Sequence, residues 1–172
     1  DHGEMLGDHG LFLKGPHFYD EAVRVPLIIS WKDRFAADLR ADCLMELIDI
    51  TPTLLEAAEI DVPNTIQGRS LMPILLSQRE AGHHRDYVFS EYYNAWTHKH
   101  SYASMLRTRE EKIVVYHGTD QGELYDLKND PDEFENLWNS PEHTKGKLRL
   151  MKACFDASVF TMDPCPIRLG PF

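Results

Sequence analysis

The sequence lacks any apolar run long enough to cross a membrane. Its longest run covers residues 25–31 and contains Pro26, whereas a membrane-spanning helix needs about 20 apolar residues. No targeting segment is recognisable at the first residues either. We therefore expect a soluble protein with no membrane partner, of the bacterial cytoplasm or periplasm, and the sequence does not choose between these two compartments.

Cysteine and positive charge are also scarce. Cys43, Cys154 and Cys165 are widely spaced and odd in number, which argues against a disulfide framework or a zinc ribbon and predicts buried thiols. The 18 Lys and Arg residues stand against 28 Asp and Glu, giving a net charge of −10. Nucleic acid is therefore not an expected partner. An anionic small molecule is compatible with this charge, because a metal ion and one lysine can reverse the field locally.

What is present is the composition of a folded chain: 172 residues, of which 42% are hydrophobic. Residues 1–86 begin with a Gly-rich charged loop, and residues 25–31 predict a short buried strand. An apolar stripe over residues 42–58 predicts a helix that kinks or restarts with Thr51 as its cap and Pro52 as its first helical residue. One helical turn is expected at residues 71–76, and His83 and His84 are expected in a solvated loop.

Residues 87–172 have a different pattern. Four short β-branched or aromatic runs, separated by turn residues, predict an antiparallel sheet over residues 87–94, 102–109, 112–117 and 123–127. A helix is expected to open at Ser140 and Pro141. Its apolar face would consist of Leu148, Met151, Phe155 and Val159. The acid-rich residues 120–135 are expected to form a solvated turn region. We thus predict an α/β protein in two parts, 1–86 and 87–172.

A short repeat at the start of the chain carries the chemistry. Asp1-His2-Gly3 and Asp8-His9-Gly10 are seven residues apart, and Lys14 follows in the same Gly-rich stretch. An adjacent carboxylate and imidazole can offer oxygen and nitrogen ligands to one divalent cation, and an ammonium group beside it can bind a sulfate or phosphate oxygen. From these residues alone, a solvated loop with no ligand is the commoner interpretation, because isolated Asp-His pairs and loop lysines are frequent.

The order of residues goes further than their types. The chain reads Asp-His-Gly-Glu-Met-Leu-Gly-Asp-His-Gly-Leu-Phe-Leu-Lys-Gly-Pro from Asp1, then Arg24-Val-Pro-Leu-Ile. This resembles the second signature block of the type I sulfatases, which belong to the alkaline-phosphatase-like superfamily. Residues 47–55, 67–71, 107–112, 123–131 and 136–137 resemble later segments of the same family. The resemblance implies that nearly the whole chain is the C-terminal part of such a fold.

The resemblance also implies roles for individual residues. Asp1 and His2 are similar to two ligands of the family's divalent cation, which is usually Ca²⁺ and sometimes Mg²⁺ or Mn²⁺. Lys14 is similar to the lysine that binds the sulfate ester oxygens. His9 stands where the family also has a histidine, and its expected role is to shape the loop, with direct contact to substrate as the alternative.

The resemblance further implies a nucleophile that these residues do not contain. The family uses a formylglycine made from a Cys/Ser-x-Pro-x-Arg motif, and Cys165-Pro-Ile-Arg168 does not fit it because its proline and arginine each come one residue too early. We therefore expect a fragment that is inactive alone and whose formylglycine and remaining metal ligands lie in an absent N-terminal lobe. Exposed apolar surface, and association with that lobe or as a homo-oligomer, are expected to follow.

Substrate choice is less well specified. Tyr92, Trp96 and His98 lie in an aromatic and polar segment that could contact a sulfated glycan, although an ordinary half-buried sheet face is the favoured interpretation. Three functions stay open: a sulfatase acting on aryl or carbohydrate sulfates, a phosphonate monoester or phosphodiester hydrolase of the same superfamily, and a non-catalytic interaction module from a truncated gene.

Overall fold

A computed structural model describes residues 1–78, 81–93 and 101–161 of the chain. The helices are α1 (Asp20–Val23), α2 (Ile50–Ala57), α3 (Met72–Leu75) and α4 (Thr144–Phe160). The strands are β1 (Val88–Tyr93), β2 (Tyr102–Arg107), β3 (Glu111–Tyr116) and β4 (Gly122–Asp126). Three 3₁₀ turns cover Asp8–Gly10, Leu47–Asp49 and Pro141–His143. The predicted boundary between residues 86 and 87 stays a prediction.

The four strands form one antiparallel sheet in the order β1-β2-β3-β4. Each predicted strand is confirmed to within one or two residues at either end. Short links that carry turn residues join β2 to β3 and β3 to β4, so each strand pairs with its neighbour in sequence, the arrangement that needs the least loop closure. This sheet is the most regular part of the described structure.

Both faces of the sheet are covered. Leu106, Ile113 and Leu124 point to α4, while Ala103, Met105 and Val114 point the other way and pack against Phe18 from the start of the chain. Because side chains alternate along a strand, a sheet covered on both faces needs apolar residues at successive positions. The run Met105-Leu106 on β2 and Ile113-Val114 on β3 meets that requirement.

Helix α4 packs on the sheet as predicted, but with a different face. Leu150, Cys154 and Ala157 are buried. Of the predicted face, Met151 does pack, partly buried, against the core. The prediction was wrong for Leu148, Phe155 and Val159, which are exposed. The buried residues and the predicted ones both follow helical spacing. The buried ones include small side chains, which fit because large side chains of the sheet already fill the space between sheet and helix. Tyr87 and Phe89 join the leucines and isoleucine of that face, so Cys154 and Ala157 let the helix approach closely.

The predicted strand at residues 25–31 does not form. These residues pair with no strand of the described chain. Leu27 and Trp31 are partly exposed, and Ile28 is 90% exposed. The composition of a strand is present, but an apolar run becomes a strand only where a neighbouring strand offers backbone donors and acceptors. The expectation of exposed apolar surface on this part of the chain is therefore met.

Asp49 organises the segment between α2 and the sheet. It ends a 3₁₀ turn that runs directly into α2. The helix begins at Ile50, so the prediction of Thr51 as cap and Pro52 as the first helical residue was wrong by two positions, although Pro52 does lie in the first turn. The fully buried Asp49 carboxylate accepts the Arg69 backbone N–H at 2.7 Å and forms a two-point ion pair with Arg85. His84 lies 3.3 Å from the same carboxylate and is 5% exposed, so the expectation of a solvated His84 was wrong.

Two remaining sequence expectations concern thiols and membranes. Cys43 and Cys154 are buried free thiols, as predicted, while Cys165 lies outside the described residues. Across the described ranges, no helix has both the length and the apolar character that crossing a bilayer requires.

Candidate functional site

The first two residues form an adjacent pair of possible metal donors. His2 Nε2 lies 3.7 Å from Asp1 Oδ1, and His2 Nδ1 lies 2.9 Å from the Gly3 carbonyl oxygen. A carbonyl only accepts hydrogen bonds, so the proton of the neutral ring belongs on Nδ1 and the lone pair on Nε2. The histidine therefore turns its ligand atom toward the carboxylate, and both side chains are open to solvent.

Lys14 is held by an acid that the sequence interpretation missed. Its Nζ donates to Glu4 Oε1 at 2.7 Å. The hydrogen bond and charge of Lys14 hold the pKa of the Glu4 carboxyl below its usual range. Because only Gly3 separates His2 from Glu4 in the chain, the anion-binding and metal-binding candidates lie in one neighbourhood. The missed signal is an acid inside the same motif, directly after Gly3.

Gly3 fixes this neighbourhood to the rest of the chain. Its N–H donates to the Ala22 carbonyl oxygen at 2.8 Å. A Cβ at this position would lie 1.9 Å from the Glu21 carbonyl oxygen, so only glycine allows the approach. The Asp1-His2 pair is therefore attached to α1.

His9 lies inside the loop. Its ring stacks on Tyr19 with centroids 3.9 Å apart and contacts Phe134 at 4.9 Å. Its side chain is 9% exposed, with Nε2 3.9 Å from Glu21 Oε2. The backbone is left-handed at φ 53° within the Asp8–Gly10 turn. These contacts pack the loop against α1, and a contact between His9 and substrate stays a prediction.

The substrate-binding candidates of the second half are not brought to this neighbourhood by any described contact. Tyr92 lies on β1 and packs, partly buried, against the cluster around Phe18. Trp96 and His98 lie outside the described residues. Their proposed role in glycan binding stays a prediction.

The donor set fits part of a divalent cation's coordination shell. Asp1 offers carboxylate oxygens and His2 offers Nε2, a combination that suits Mn²⁺ well and Ca²⁺ or Mg²⁺ through the oxygen donor. Within the described ranges, no cluster of three or more His, Cys, Asp or Glu side chains is arranged to hold a metal. A complete shell therefore needs ligands in addition to these two.

Three comparisons bear on this arrangement. The family described as "N-sulphoglucosamine sulphohydrolase, C-terminal" matches residues 7–158. An N-acetylglucosamine-6-O-sulfatase of Bacteroides thetaiotaomicron is 34% identical over 88% of this chain and 28% of its own length. This chain thus spans less than a third of that relative.

Solved structures agree with the sequence comparison. A protein in complex with its substrate D-glucosamine-2-N,6-O-disulfate superposes with a TM-score of 0.82 at 30% identity, over 98% of this chain and 35% of that one. A phosphonate monoester hydrolase from Silicibacter pomeroyi gives a TM-score of 0.84 at 27% identity, over 95% and 34%. The predicted fold class, the C-terminal part of an alkaline-phosphatase-like sulfatase, is confirmed. The chain belongs to the N-sulphoglucosamine sulphohydrolase C-terminal family of sulfatases.

Proposed function

We propose that this chain is the C-terminal part of a hydrolase of sulfate monoesters, with carbohydrate sulfates as its substrates. One observation carries the proposal: the Asp1-His2 pair and the Lys14-Glu4 pair are formed by the same short stretch of chain, in which only Gly3 separates His2 from Glu4. A cation beside an ammonium group suits the anionic head of a sulfate monoester, because both can stabilise its oxygens.

Each side chain has a separate task in this proposal. Asp1 and His2 hold a divalent cation, Ca²⁺ in the first place and Mg²⁺ or Mn²⁺ as alternatives, together with ligands from the N-terminal lobe. When bound, that cation supplies a positive charge that stabilises the ester oxygens. Lys14 donates hydrogen bonds to the sulfate group, and Glu4 orients the Lys14 ammonium. The nucleophile, a formylglycine, comes from the same N-terminal lobe.

The substrate class is supported by the relatives. One is named for N-acetylglucosamine-6-O-sulfate and another was solved with a disulfated glucosamine. Both align along most of this chain, including its C-terminal sheet. We therefore propose a sulfated amino sugar or related glycan, with aryl sulfates as the simpler test substrates.

A phosphonate monoester hydrolase is the second candidate. Its support is the TM-score of 0.84 with a protein of that activity, which is as high as any value for the sulfatases compared here. Sulfate and phosphonate monoesters are both tetrahedral anions, and one lysine and one cation suit both. A non-catalytic module from a truncated gene is the third candidate, and an intact mass of about 20 kDa for the native protein would support it.

The experiment compares substrates and variants in the complete protein that carries this chain. We expect hydrolysis of 4-nitrophenyl sulfate and glucosamine-6-sulfate to exceed that of a phenylphosphonate ester, and to stop when EDTA removes the metal. Replacement Lys14→Ala should lower kcat/KM on the order of 10²–10³-fold, the range seen when one oxyanion donor is removed. Lys32→Ala, at an exposed lysine outside this neighbourhood, is the matched control and should change nothing.

Two outcomes would redirect the proposal. A preference for the phosphonate ester would favour the second candidate. Equal activity of the Lys14→Ala variant and the parent on every ester would remove the assigned role of Lys14. For the 172-residue chain alone we expect no turnover, measured with the same substrates.

A further inference from the structure

Two cations face each other inside the sheet. Arg107 on β2 and Lys112 on β3 are directly paired across the strands. The Lys112 side chain is fully buried and that of Arg107 is mostly so. Like charges at opposed positions destabilise a sheet, and a buried ammonium is costly without an ionic partner. These two buried cations therefore need negatively charged partners.

Both cations bind one carboxylate from the start of the chain. Lys112 Nζ lies 2.8 Å from Asp20 Oδ1, and Arg107 Nη2 lies 3.2 Å from Asp20 Oδ2. Lys112 also donates to the Phe18 carbonyl oxygen at 2.8 Å and forms an ion pair with Glu133. The ammonium group thus donates two hydrogen bonds, to Phe18 and Asp20, and has the Glu133 carboxylate as a third, ionic neighbour. We call Asp20, Arg107, Lys112 and Glu133 the Asp20 clamp.

Glu133 completes the clamp from the acid-rich region. Its Oε2 accepts the backbone N–H of Asp20 at 2.8 Å. Its side chain is nearly fully buried, so the expectation of a solvated turn over residues 120–135 was wrong at this position. Two buried cations and two buried carboxylates balance in charge. Burial alone would raise the pKa of Asp20, but Lys112 and then Arg107 outweigh it and lower that pKa.

The clamp leads directly to the candidate metal ligands. Asp20 is the first residue of α1, and the Ala22 carbonyl two residues later accepts the Gly3 N–H. Gly3 packs so closely on α1 that an added Cβ would collide with the Glu21 carbonyl oxygen. We therefore expect a displacement of α1 to move Gly3 and, with it, Asp1 and His2.

Stability alone does not explain a buried ion network. Apolar residues of similar volume often stabilise a core as well as a buried salt bridge does, and Phe18 already packs on Met105 and Val114 next to the clamp. What charges add is a defined position, because each hydrogen bond fixes a direction and a distance. The clamp specifies where α1 sits on the sheet.

We propose that Lys112 is a positioning residue: through Asp20 and α1 it sets the placement of Asp1 and His2 for the cation. This inference rests on the proposed function, because positioning Asp1 and His2 matters only if they bind the cation. Lys112 itself touches neither ligand in the described contacts.

The test measures metal affinity in the complete protein that carries this chain. Lys112→Met keeps most of the side-chain stem and removes the charge. We expect it to fold, with unchanged circular dichroism, and to bind Mn²⁺ about 10–100-fold more weakly, the range for losing a residue that orients a ligand. At low metal, kcat/KM should fall by a similar factor and recover when metal is in excess. A role in folding alone would not give that recovery.

Lys147→Met is the matched control. Lys147 is also a partly buried lysine that donates to a backbone carbonyl, that of Trp138 at 2.7 Å, but it lies on α4. Its replacement should leave the Mn²⁺ affinity unchanged. If Lys112→Met does not fold, Asp20→Asn, which keeps the shape of the carboxylate, takes its place under the same criterion.

The outcomes separate this inference from the proposed function. A folded Lys112→Met or Asp20→Asn variant that binds Mn²⁺ as the parent does would overturn the positioning role. If the parent hydrolyses none of the esters, the proposed function fails while the affinity comparison still decides the inference. If the parent binds no Mn²⁺, the ¹⁵N shifts of the His2 ring decide it, because Lys112→Met should change them and Lys147→Met should not.

Discussion

The sheet and the first 60 residues contain similar apolar runs with opposite fates. Ile113 and Val114 on β3 are fully buried between α4 and Phe18, whereas Ile28, in an equally β-branched run, is 90% exposed. The difference is whether a neighbouring strand is available for pairing. The strands of the sheet have neighbours next to them in sequence, while residues 25–31 need a neighbour from elsewhere. The same local pattern therefore gives core in one region and surface in the other.

The exposed apolar residues of the first region are typical of a surface that contacts another folded unit. Leu6, Phe12 and Leu13 flank the candidate ligands and are more than half exposed. Large apolar surface of this kind marks a contact with another folded unit. Because the chain spans 28% of a sulfatase relative, the remainder of such a fold is the expected cover, and self-association of the isolated chain is the alternative. Light scattering and binding of a hydrophobic dye distinguish a covered surface from an open one.

The largest effect that separates the two regions is the cost of a cavity. Ile113→Ala removes a fully buried side chain that packs with Leu106 and Leu150, so it should lower the free energy of unfolding by about 2–5 kcal/mol. Ile28→Ala makes the same chemical change at an exposed position and should cost less than about 0.5 kcal/mol. Urea unfolding of both variants gives the comparison.

Similar losses for the two isoleucines would contradict this prediction. In that case Ile28 would be buried in the protein as measured, through association with a further unit or a second copy. A concentration series would then separate the two, since only self-association depends on the concentration of this chain.

The elements that sequence predicted well are those with local signals. The strands alternate with turn residues, and Pro141 opens the C-terminal helical segment. The face of α4 was predicted wrongly because two stripes share its period, and large side chains were taken to be the buried ones. The sheet decided otherwise, since its own bulky residues leave room for Cys154 and Ala157. The side-chain volumes that fit between a helix and a sheet depend on both elements, so the sequence of one element does not predict them.

The residues of the candidate site also differ in whether the sequence could identify them. Asp1, His2 and Lys14 fall in one short motif, so their types and spacing could be interpreted directly. The clamp could not, because Asp20 and Lys112 are 92 residues apart. A lysine in a strand and an acid in a turn are ordinary surface residues until the fold brings them together. Glu133 was therefore assigned to solvent on composition, although it is buried.

A smaller effect is expected where the two regions are joined. Gly3→Ala places a Cβ against the Glu21 carbonyl oxygen and should break the Gly3–Ala22 hydrogen bond, which we expect to cost about 1–3 kcal/mol. Gly82→Ala is the control, because its Cβ would meet no atom within 4 Å. Its stability should stay equal or rise by up to about 1 kcal/mol.

Metal binding sharpens that comparison. If Gly3 attaches the ligands to α1, Gly3→Ala should also weaken Mn²⁺ binding in the complete protein, while Gly82→Ala should not. Equal melting temperatures and equal affinities for the two variants would show that the approach of Gly3 to α1 is not required.

The smallest effect is a pH dependence that two adjacent histidines should not share. Burial, partly offset by Asp49, lowers the pKa of His84 below its ordinary value of 6.5. The unfolded chain therefore takes up a proton near pH 6.5 while the folded chain does not. The free energy of unfolding should then fall as the pH drops below about 6.5, by at most about 1.4 kcal/mol per pH unit. His83 has an exposed side chain and provides the control substitution.

Replacing each histidine by glutamine tests this directly, with the urea midpoint measured from pH 7.5 to 5. His84→Gln should flatten the dependence between pH 6.5 and 5.5, whatever its effect on absolute stability, and His83→Gln should leave the curve parallel to that of the parent. Parallel curves for all three proteins would place His84 in solvent and would count against the buried Asp49 cluster. A flattened curve for His84→Gln alone would show that one residue of a polar loop belongs to the core while its neighbour does not, because only the packing around Asp49 distinguishes the two.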